Sequence, residues 1–160
     1  MEIRTAVMAD LAAVTRVERS CFPAAEAATE EQFAERLRYY GAHFWLLILE
    51  GELVSFVDGF VTDEKDLTDE MYEKAELHDP KGAWQMIFGV NTLPRYRRKG
   101  YAERLLRRAI EDARKQGRKG LVLTCKKELV LYYGKLGFVD EGVSASVHGN
   151  VVWYQMRLTF

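Results

Sequence analysis

Apolar residues recur along the chain with two spacings, and these spacings predict alternating strands and helices. The helical spacing is clearest between residues 102 and 113, where apolar side chains return every three or four positions while arginines occupy the opposite face. Continuous apolar runs predict buried strands instead. The three strongest of these runs cover residues 44–49, 53–61 and 84–93.

Capping and turn residues set the limits of the other elements. Thr29, followed by Gln32, predicts a helix that starts with a capping box, and Gly41 ends that helix. Seven strands and five helices follow one another, which predicts a mixed α/β (α+β) fold with helices on both faces of a largely antiparallel, twisted sheet. The remaining predicted helices cover residues 9–22, 66–78 and 127–136, and the remaining strands cover residues 2–6, 121–124, 138–141 and 151–158.

The composition is that of an ordinary globular protein. The 160 residues, 48% hydrophobic and 29% charged, predict one domain over residues 1–160. Two cysteines, Cys21 and Cys125, exclude a disulfide framework and a cysteine-rich zinc module. The histidines are scattered, so no metal site is expected. No apolar run approaches the length of a membrane helix and no apolar signal core starts the chain, so we expect a cytoplasmic protein without a membrane partner.

Basic residues are concentrated in one segment, although the net charge is only −1. Residues 95–119 hold 11 of the 23 basic side chains and three acidic ones, so this segment carries +8 and the rest of the chain −9. A basic segment in an otherwise acidic chain favours binding of a compact anion over binding of nucleic acid. A solvated helix face is the alternative interpretation.

Residues 90–102 connect a predicted strand to a predicted helix through an arginine-rich turn. Backbone N–H groups at a helix start have no partner within the helix and carry the positive end of its dipole, so they can bind a pyrophosphate. Gly100 and Ala102 leave room for such a ligand, and residues 97–99 add positive charge. The pattern is neither a P-loop nor a dinucleotide-binding Gly-x-Gly-x-x-Gly. It predicts a site for a cofactor that carries phosphates.

The stretch from Arg97 to Ala102 resembles the Q/R-x-x-G-x-G/A pyrophosphate loop of the GNAT superfamily of acyl-CoA-dependent N-acetyltransferases, and the resemblance covers essentially the whole chain. It implies a single GNAT domain that moves an acetyl group from acetyl-CoA to a primary amine, either small and cationic or arylalkyl, by direct attack in a ternary complex without a metal. Within the superfamily the chain most resembles the serotonin (arylalkylamine) N-acetyltransferases, in residues 50–54, 67–68, 77–82, 122–125 and 133–138.

The same resemblance implies which residues bind the cofactor. In the family, backbone groups of the strand before the loop bind the pantetheine arm of coenzyme A, and loop N–H groups bind its pyrophosphate. Exposed basic side chains suit the 3′-phosphate. The matching strand residues are Val90, Asn91 and Thr92, and the matching loop residues are Arg97, Arg98, Lys99, Gly100, Tyr101, Ala102 and Glu103.

Acetyl transfer needs a proton donor for the leaving thiolate and an acceptor for the amine proton. Tyr133, in Tyr-x-x-x-Gly-Phe, matches the position of the family's general acid, which lies against the thiol end of the cofactor. The two histidines that serve as bases in the serotonin enzymes match Met86 and Phe88 here, and neither side chain can take a proton. The candidates for the base, in order, are Glu26, His78 and Asp58.

Other functions stay open beside acetylation of a small-molecule amine. The absent histidines favour a non-catalytic acyl-CoA sensor module, whereas Tyr133 disfavours it. An acetyltransferase for protein N-termini or lysines is a further alternative. A nucleic-acid binder is disfavoured because basic and aromatic residues do not alternate. The expected partner is the amine acceptor, and a homodimer through terminal strands is an open alternative; the sequence leaves the acceptor, the base and the pathway undetermined.

Overall fold

The computed structural model describes all 160 residues and contains five α-helices and nine β-strands. The helices are α1 (Leu11–Cys21), α2 (Glu30–Tyr40), α3 (Asp69–Glu73), α4 (Tyr101–Lys115) and α5 (Val130–Lys135). The strands are β1 (Glu2–Thr5), β2 (Phe44–Leu49), β3 (Glu52–Asp58), β4 (Val61–Thr62), β5 (Trp84–Ile87), β6 (Gly89–Thr92), β7 (Gly120–Cys125), β8 (Val139–Val143) and β9 (Tyr154–Thr159).

The first of two compact units comprises residues 1–59 and 89–109. Its sheet is antiparallel throughout, in the order β1-β2-β3-β6, so β6 is an edge strand of this sheet. Helix α1 packs on α2, β3 and β6. The rings of Phe33, Phe44 and Phe56 lie with their centroids 5.4–6.0 Å apart. These buried rings join α2 to β2 and β3 through apolar contact.

The second unit comprises residues 60–88 and 110–160. Its sheet has the order β4-β5-β7-β9-β8, and within it only β5 and β7 run parallel to each other. Helix α5 packs on β8 and β9. Gly120 begins β7 so close to β9 that a Cβ would lie 1.9 Å from the Leu158 carbonyl oxygen. Only glycine therefore fits at this position of the sheet.

The mixed α/β class is confirmed, and so are several local predictions. The capping box forms, because the Gln32 N–H donates to Thr29 Oγ1 at 3.1 Å and the Thr29 N–H donates to Gln32 Oε1 at 2.8 Å. The long amphipathic helix is α4, whose apolar positions Leu105, Leu106 and Ala109 are fully buried. No helix in the chain combines the length and the apolar character needed to cross a bilayer.

Two predicted strands are wrong in extent, because each is divided between the two sheets. The run 53–61 ends as β3 at Asp58 and resumes as β4. The run 84–93 breaks at Phe88 into β5 and β6. At Gly89, after this break, a Cβ would lie 2.8 Å from Asp58 Oδ1, so the approach of β6 to β3 requires a glycine. An apolar run indicates that a strand is buried but not which strand it pairs with. Because two of the seven predicted strands are each divided in two, the structure has nine strands in two sheets.

The helix predicted over residues 66–78 is also wrong in extent. Only Asp69–Glu73 is α-helical, and a 3-10 turn over Ala75–Leu77 follows it. Lys74, between the two, has φ −123° and ψ 77°, which are not helical angles. Polar residues dominate this segment, so little apolar burial is available to stabilise a longer helix.

Candidate active site

The arginine-rich turn (residues 94–100) leaves a row of backbone donors at the start of α4. The Arg97 N–H donates to the Pro94 carbonyl, and the Arg104 N–H donates to the Gly100 carbonyl. Between them, the N–H groups of residues 98–103 donate to no acceptor within the protein. Gly100 has a φ of 81°, and a Cβ built on it meets nothing within 4 Å. Successive unpaired donors beside open space at a helix start form a cradle that suits an anion.

Arg95 and Tyr96 fix the turn to β3. Arg95 Nη2 lies 2.5 Å from Glu52 Oε2, and the Tyr96 hydroxyl donates to Glu52 Oε1 at 2.9 Å. The hydrogen bond from Tyr96, followed by that from Arg95, lowers the pKa of Glu52. An exposed pair of this kind adds little to the free energy of unfolding, but it orients the turn.

The other basic side chains of the turn have different roles. Arg97 Nε donates to the Thr92 carbonyl at 3.1 Å, and the same carbonyl accepts from Cys21 Sγ at 3.3 Å. Burial raises the pKa of Cys21, so this thiol stays protonated at neutral pH. Arg98 and Lys99 are exposed, and Arg98 has a φ of 63°, which is unusual for a residue with a side chain. These two side chains are best placed to reach a phosphate.

Residues 90–92 belong to an edge strand, and edge strands can bind extended amide ligands. Within its sheet β6 pairs only with β3. The Ser55 hydroxyl donates to the Asn91 carbonyl at 2.7 Å, which adds a side-chain bond to this pairing. Backbone groups along the other edge of such a strand can hydrogen-bond a linear molecule that contains amides.

Five polar residues of the first unit form a buried polar cluster, which includes Asp58, a candidate base from the sequence, and Asn91, predicted there only for its backbone groups. Asp58 has no exposed surface, and its Oδ2 accepts from Arg36 Nη1 at 3.2 Å and from the Tyr40 hydroxyl at 3.1 Å. Burial raises the pKa of Asp58, and the Arg36 charge opposes this effect. Glu18 and Asn91 complete the polar cluster, with Asn91 Nδ2 donating to Glu18 Oε1 at 3.0 Å.

Arg36, Tyr40 and Glu18 carried no prediction from the sequence, and Glu18 is the carboxyl among them. This residue of α1 is only 6% exposed, and its Oε2 accepts the Ala28 N–H at 2.8 Å. Burial raises the pKa of Glu18 to about 7, because the hydrogen bonds from Ala28 and Asn91 oppose the loss of solvation only in part. The sequence did contain a signal, since Val14 and Val17 are buried and share a helix face with Glu18.

Glu26 lies in the α1–α2 loop (residues 22–29) of the first unit. Its N–H donates to the Pro23 carbonyl at 2.9 Å in a turn. The residue is 9% exposed, so it is not the solvated glutamate that is usual in a loop. Electrostatic interactions of a buried carboxylate are stronger than those of a solvated one, which suits a residue that handles an amine.

His78 lies in the second unit, and its ring already accepts a hydrogen bond. The Val61 N–H donates to His78 Nδ1 at 3.1 Å. In a neutral imidazole whose Nδ1 accepts, Nε2 carries the proton. Uptake of a further proton would therefore cost the bond to Val61.

Tyr133 lies on α5 in the second unit, where it is buried against other aromatic rings. Its ring centroid is 5.1 Å from that of Tyr132 and 6.0 Å from that of Phe138. Burial, with smaller contributions from Tyr132, Cys125 and Tyr72, raises the pKa of Tyr133 well above its usual range. The phenol therefore keeps its proton and can act as a hydrogen-bond donor, whereas complete loss of that proton is costly.

Five aromatic side chains of the second unit meet in what we call the aromatic cluster: Phe60, Tyr72, Phe88, His148 and Trp153. The rings of Tyr72 and His148 stack 5.3 Å apart and 9° from parallel. Phe88 lies 4.9 Å from both Phe60 and Tyr72. Trp153 Nε1 donates to the His148 carbonyl at 2.7 Å. All except Phe60 are only half-buried, so part of each of these four side chains remains exposed to solvent.

An acidic segment (residues 63–79) contains Tyr72 of the aromatic cluster. It holds eight acidic and two basic residues, a net charge of −6. Asp69 links this segment to the stretch before His148, since its carboxylate accepts from the Ser146 hydroxyl and, at 3.0 Å, from the Val147 N–H. A concentration of negative charge of this size attracts cations to the surface around it.

The class of protein follows from a family comparison. The profile of the Acetyltransferase (GNAT) family matches residues 11–138, a range that contains the arginine-rich turn and Tyr133. The chain therefore belongs to the GNAT acetyltransferase family. The predicted membership of this family of acetyltransferase enzymes is confirmed.

Particular relatives resemble the chain in fold or in a short segment. The loading GNATL domain of CurA from Lyngbya majuscula is 16% identical with a TM-score of 0.85, over 99% of this chain and 96% of that one. The GphF GNAT-like decarboxylase in complex with isobutyryl-CoA is 20% identical with a TM-score of 0.84, over 99% of both chains. The Escherichia coli ribosomal-protein-S18-alanine N-acetyltransferase is 19% identical with a TM-score of 0.73, over 99% and 92%. At these identities the likeness is one of fold.

A curated relative matches only part of the chain. It is a probable glucosamine 6-phosphate N-acetyltransferase 2 from Oryza sativa subsp. japonica, 38% identical over 52 residues. The match spans 32% of this chain and about a third, 31%, of the rice protein.

Proposed function

We propose that residues 1–160 act as a single domain that transfers an acetyl group from acetyl-CoA to a primary amine. The observation that carries this proposal is the cradle at the start of α4, with N–H groups of residues 98–103 unpaired and open space at Gly100. The family membership supports it. Solved relatives with the same fold were crystallised with isobutyryl-CoA and, in the case of PaiA N-acetyltransferase from Thermoplasma acidophilum, with coenzyme A.

The residues of the first unit fit the chemistry of acetyl-CoA. The backbone of Val90, Asn91 and Thr92 would pair with the amides of the pantetheine arm, as β6 is an edge strand. The N–H groups at the start of α4 would bind the pyrophosphate. The exposed side chains of Arg98 and Lys99 suit the 3′-phosphate. The proposed cofactor-binding residues are Val90, Asn91, Thr92, Arg97, Arg98, Lys99, Gly100, Tyr101, Ala102, Glu103 and, at the thiol end, Tyr133.

The proposed acceptor is a small cationic arylalkyl amine. The aromatic cluster leaves part of the Tyr72, Phe88 and His148 side chains exposed, and these exposed parts would contact an aryl group. The acidic segment supplies the negative charge that attracts an ammonium group. The resemblance to the serotonin N-acetyltransferases favours an arylalkyl amine, whereas Met86 and Phe88 at the positions of their two histidines count against the same indoleamine substrate.

Acetyl transfer forms a C–N bond and breaks the C–S bond of the thioester, and two protons must move. The amine attacks only when neutral, so Glu26 would accept a proton from the ammonium group, directly or through water. His78 is the second candidate for this role. Tyr133 would donate a hydrogen bond to the sulfur as the thiolate leaves. Its raised pKa favours donation of a hydrogen bond over complete transfer of the proton. The second proton, which the attacking nitrogen loses once the C–N bond has formed, would pass through water to the departing thiolate, so that coenzyme A leaves as the free thiol.

Replacing Glu26 and His78 separately tests the identity of the base. Glu26→Gln is expected to lower kcat by about 100-fold near neutral pH. The kcat of the variant should recover at alkaline pH, because the free amine is already neutral there and needs no carboxylate to take its proton. If Glu26 only anchors the cation, the KM of the acceptor rises instead and the pH profile keeps its shape. His78→Gln serves as the matched variant. Wild-type behaviour of Glu26→Gln, with loss near neutrality in His78→Gln, would move the role to His78.

An acceptor panel tests the proposed function itself. Thiol release from acetyl-CoA is measured with phenethylamine, its saturated counterpart cyclohexylethylamine, glucosamine 6-phosphate and a peptide that begins with alanine. We expect phenethylamine to give the highest kcat/KM, because only an aryl ring stacks on the aromatic cluster. Preference for the peptide would indicate a protein N-terminal acetyltransferase. Acetyl-CoA binding without thiol release from any amine would indicate a sensor module.

A further inference from the structure

We propose that Glu18 is a positioning residue for the transfer proposed above: its carboxylate ties the α1–α2 loop, which carries Glu26, to strand β6, which would hold the pantetheine arm. The effect of Glu18 on acetyl transfer rests on the proposed function, whereas the two hydrogen bonds that form the tie lie within the first unit alone. Glu18 would touch neither the amine nor the thioester and would act through the two segments that it joins.

The geometry of the tie uses both oxygens of one carboxylate. Glu18 Oε2 accepts the Ala28 N–H at 2.8 Å, and Glu18 Oε1 accepts from Asn91 Nδ2 at 3.0 Å. Glu18 is 6% exposed and Asn91 is 1% exposed, so water does not compete for either bond. Ala28 lies two residues after Glu26, and Asn91 lies at the centre of β6. A single side chain therefore fixes two segments that the proposed reaction needs.

The surroundings of Glu18 make the tie sensitive to pH. Asp58 of β3 faces it as a second carboxylate, Arg36 and Tyr40 of α2 face it as a cation and a phenol, and Cys21 follows on its own helix. Burial raises the pKa of Glu18 to about 7, and the Asp58 charge adds to this effect while the Arg36 charge opposes it. One of the two donors to Asp58 is the Arg36 guanidinium, whose charge stabilises the ionised Asp58, whereas both donors to Glu18 are uncharged.

Protonation of Glu18 changes what Asn91 can do. The ionised carboxylate accepts from both donors, as the geometry shows. A protonated Glu18 keeps one acceptor for the Ala28 N–H and becomes a donor toward Asn91. Asn91 Oδ1 is buried without a hydrogen-bond partner, so rotation of the amide would supply the matching acceptor. The ionised state is thus the one that holds the Asn91 side chain in the orientation described here, since only this state makes both bonds without rotation of the amide.

Exchanging the two partners separates this role from a purely structural one. Glu18→Gln mimics the protonated state, since its amide nitrogen donates to a rotated Asn91 and its oxygen still accepts from Ala28. Asn91→Asp places two carboxylates face to face, and the double variant Glu18→Gln/Asn91→Asp restores one carboxylate and one amide in exchanged positions. Glu31→Gln, an exposed carboxylate at the start of α2, is the matched control.

The kinetic and binding readout is the pH dependence of acetyl-CoA affinity and of kcat/KM. In the wild type both are expected to improve about tenfold as pH rises through 7. Glu18→Gln should show no such transition and should stay near the low-pH wild-type value. Asn91→Asp should move the transition to higher pH, and the double variant should recover affinity to within about threefold of wild type. A Glu18→Gln profile that overlays the wild-type profile overturns the proposal.

The tie itself is measured without activity, by the NMR resonances of the Ala28 N–H and the Asn91 side-chain amide. We expect both to titrate with one midpoint near 7 in the wild type and in Glu31→Gln, and neither to titrate in Glu18→Gln. Titration that persists in Glu18→Gln but is lost in Asp58→Asn would assign it to Asp58 and overturn the proposal. The two resonances could titrate together in a protein that binds no acetyl-CoA at any pH. This result would overturn the proposed function and the catalytic consequence inferred for Glu18, whereas the tie between the two segments would stand.

Discussion

Gly100→Glu is expected to lower the affinity for acetyl-CoA by at least about 100-fold, equivalent to about 2.8 kcal/mol, while the protein stays folded. A Cβ at Gly100 enters open space beside the unpaired N–H groups at the start of α4 and meets no protein atom within 4 Å. The new side chain would bring a carboxylate against the pyrophosphate and compete for the same donors. Isothermal titration with acetyl-CoA measures the loss.

The control for this experiment is Gly117→Glu. Gly117 has a φ of 79°, close to the 81° of Gly100, and a Cβ on it also meets nothing within 4 Å. Both variants therefore carry the same backbone strain and the same change in charge. We expect Gly117→Glu to bind acetyl-CoA as the wild type does. Equal affinities in Gly100→Glu and Gly117→Glu would place the cofactor away from this turn.

Tyr133→Phe is expected to lower kcat by about 100-fold while most of the affinity for acetyl-CoA is kept. The variant removes one hydroxyl from a buried ring, and the packing against Tyr132 and Phe138 is preserved. The loss is placed at the lower end of the range for general acids, because burial raises the pKa of this phenol and limits it to donating a hydrogen bond. Steady-state kcat is compared with the titrated affinity.

Tyr132→Phe provides the neighbouring control for Tyr133→Phe. The two rings are in contact at 5.1 Å, but Tyr132 is only half-buried and does not match the family motif. We expect the Tyr132→Phe variant to keep the kcat of the wild type. The effect of Tyr133→Phe should shrink for acceptors whose attack, rather than thiolate departure, limits the rate. An unchanged kcat across several acceptors would remove Tyr133 from the acid role.

Local signals in the sequence were sufficient for the elements whose structure depends on neighbouring residues. Thr29 and Gln32 are three positions apart and form the predicted capping box. The spacing of apolar residues in α4 predicts its buried face correctly. The turn between β6 and α4 was predicted in the same way, because its glycine and basic residues are consecutive.

Features that depend on distant partners were not predictable. The apolar run 84–93 is divided at Phe88 because β5 pairs with β7 while β6 pairs with β3, and an apolar pattern contains no information on either partner. Glu18 and Asn91 are 73 positions apart, and only the folded chain brings them together. The same holds for Tyr72 and His148, two residues distant in sequence that stack on each other within the proposed acceptor surface.

The central claim is acetyl transfer by a protein that holds acetyl-CoA at residues 90–103, and detection of the acetylated product tests it most directly. Acetyl-CoA and phenethylamine are incubated with the wild type, Gly100→Glu and Gly117→Glu, and both the free thiol and the N-acetylated amine are quantified by mass spectrometry. We predict equal amounts of thiol and acetamide with the wild type and Gly117→Glu, and neither above background with Gly100→Glu. Undiminished acetamide with Gly100→Glu, or thiol without acetamide in the wild type, would contradict the account.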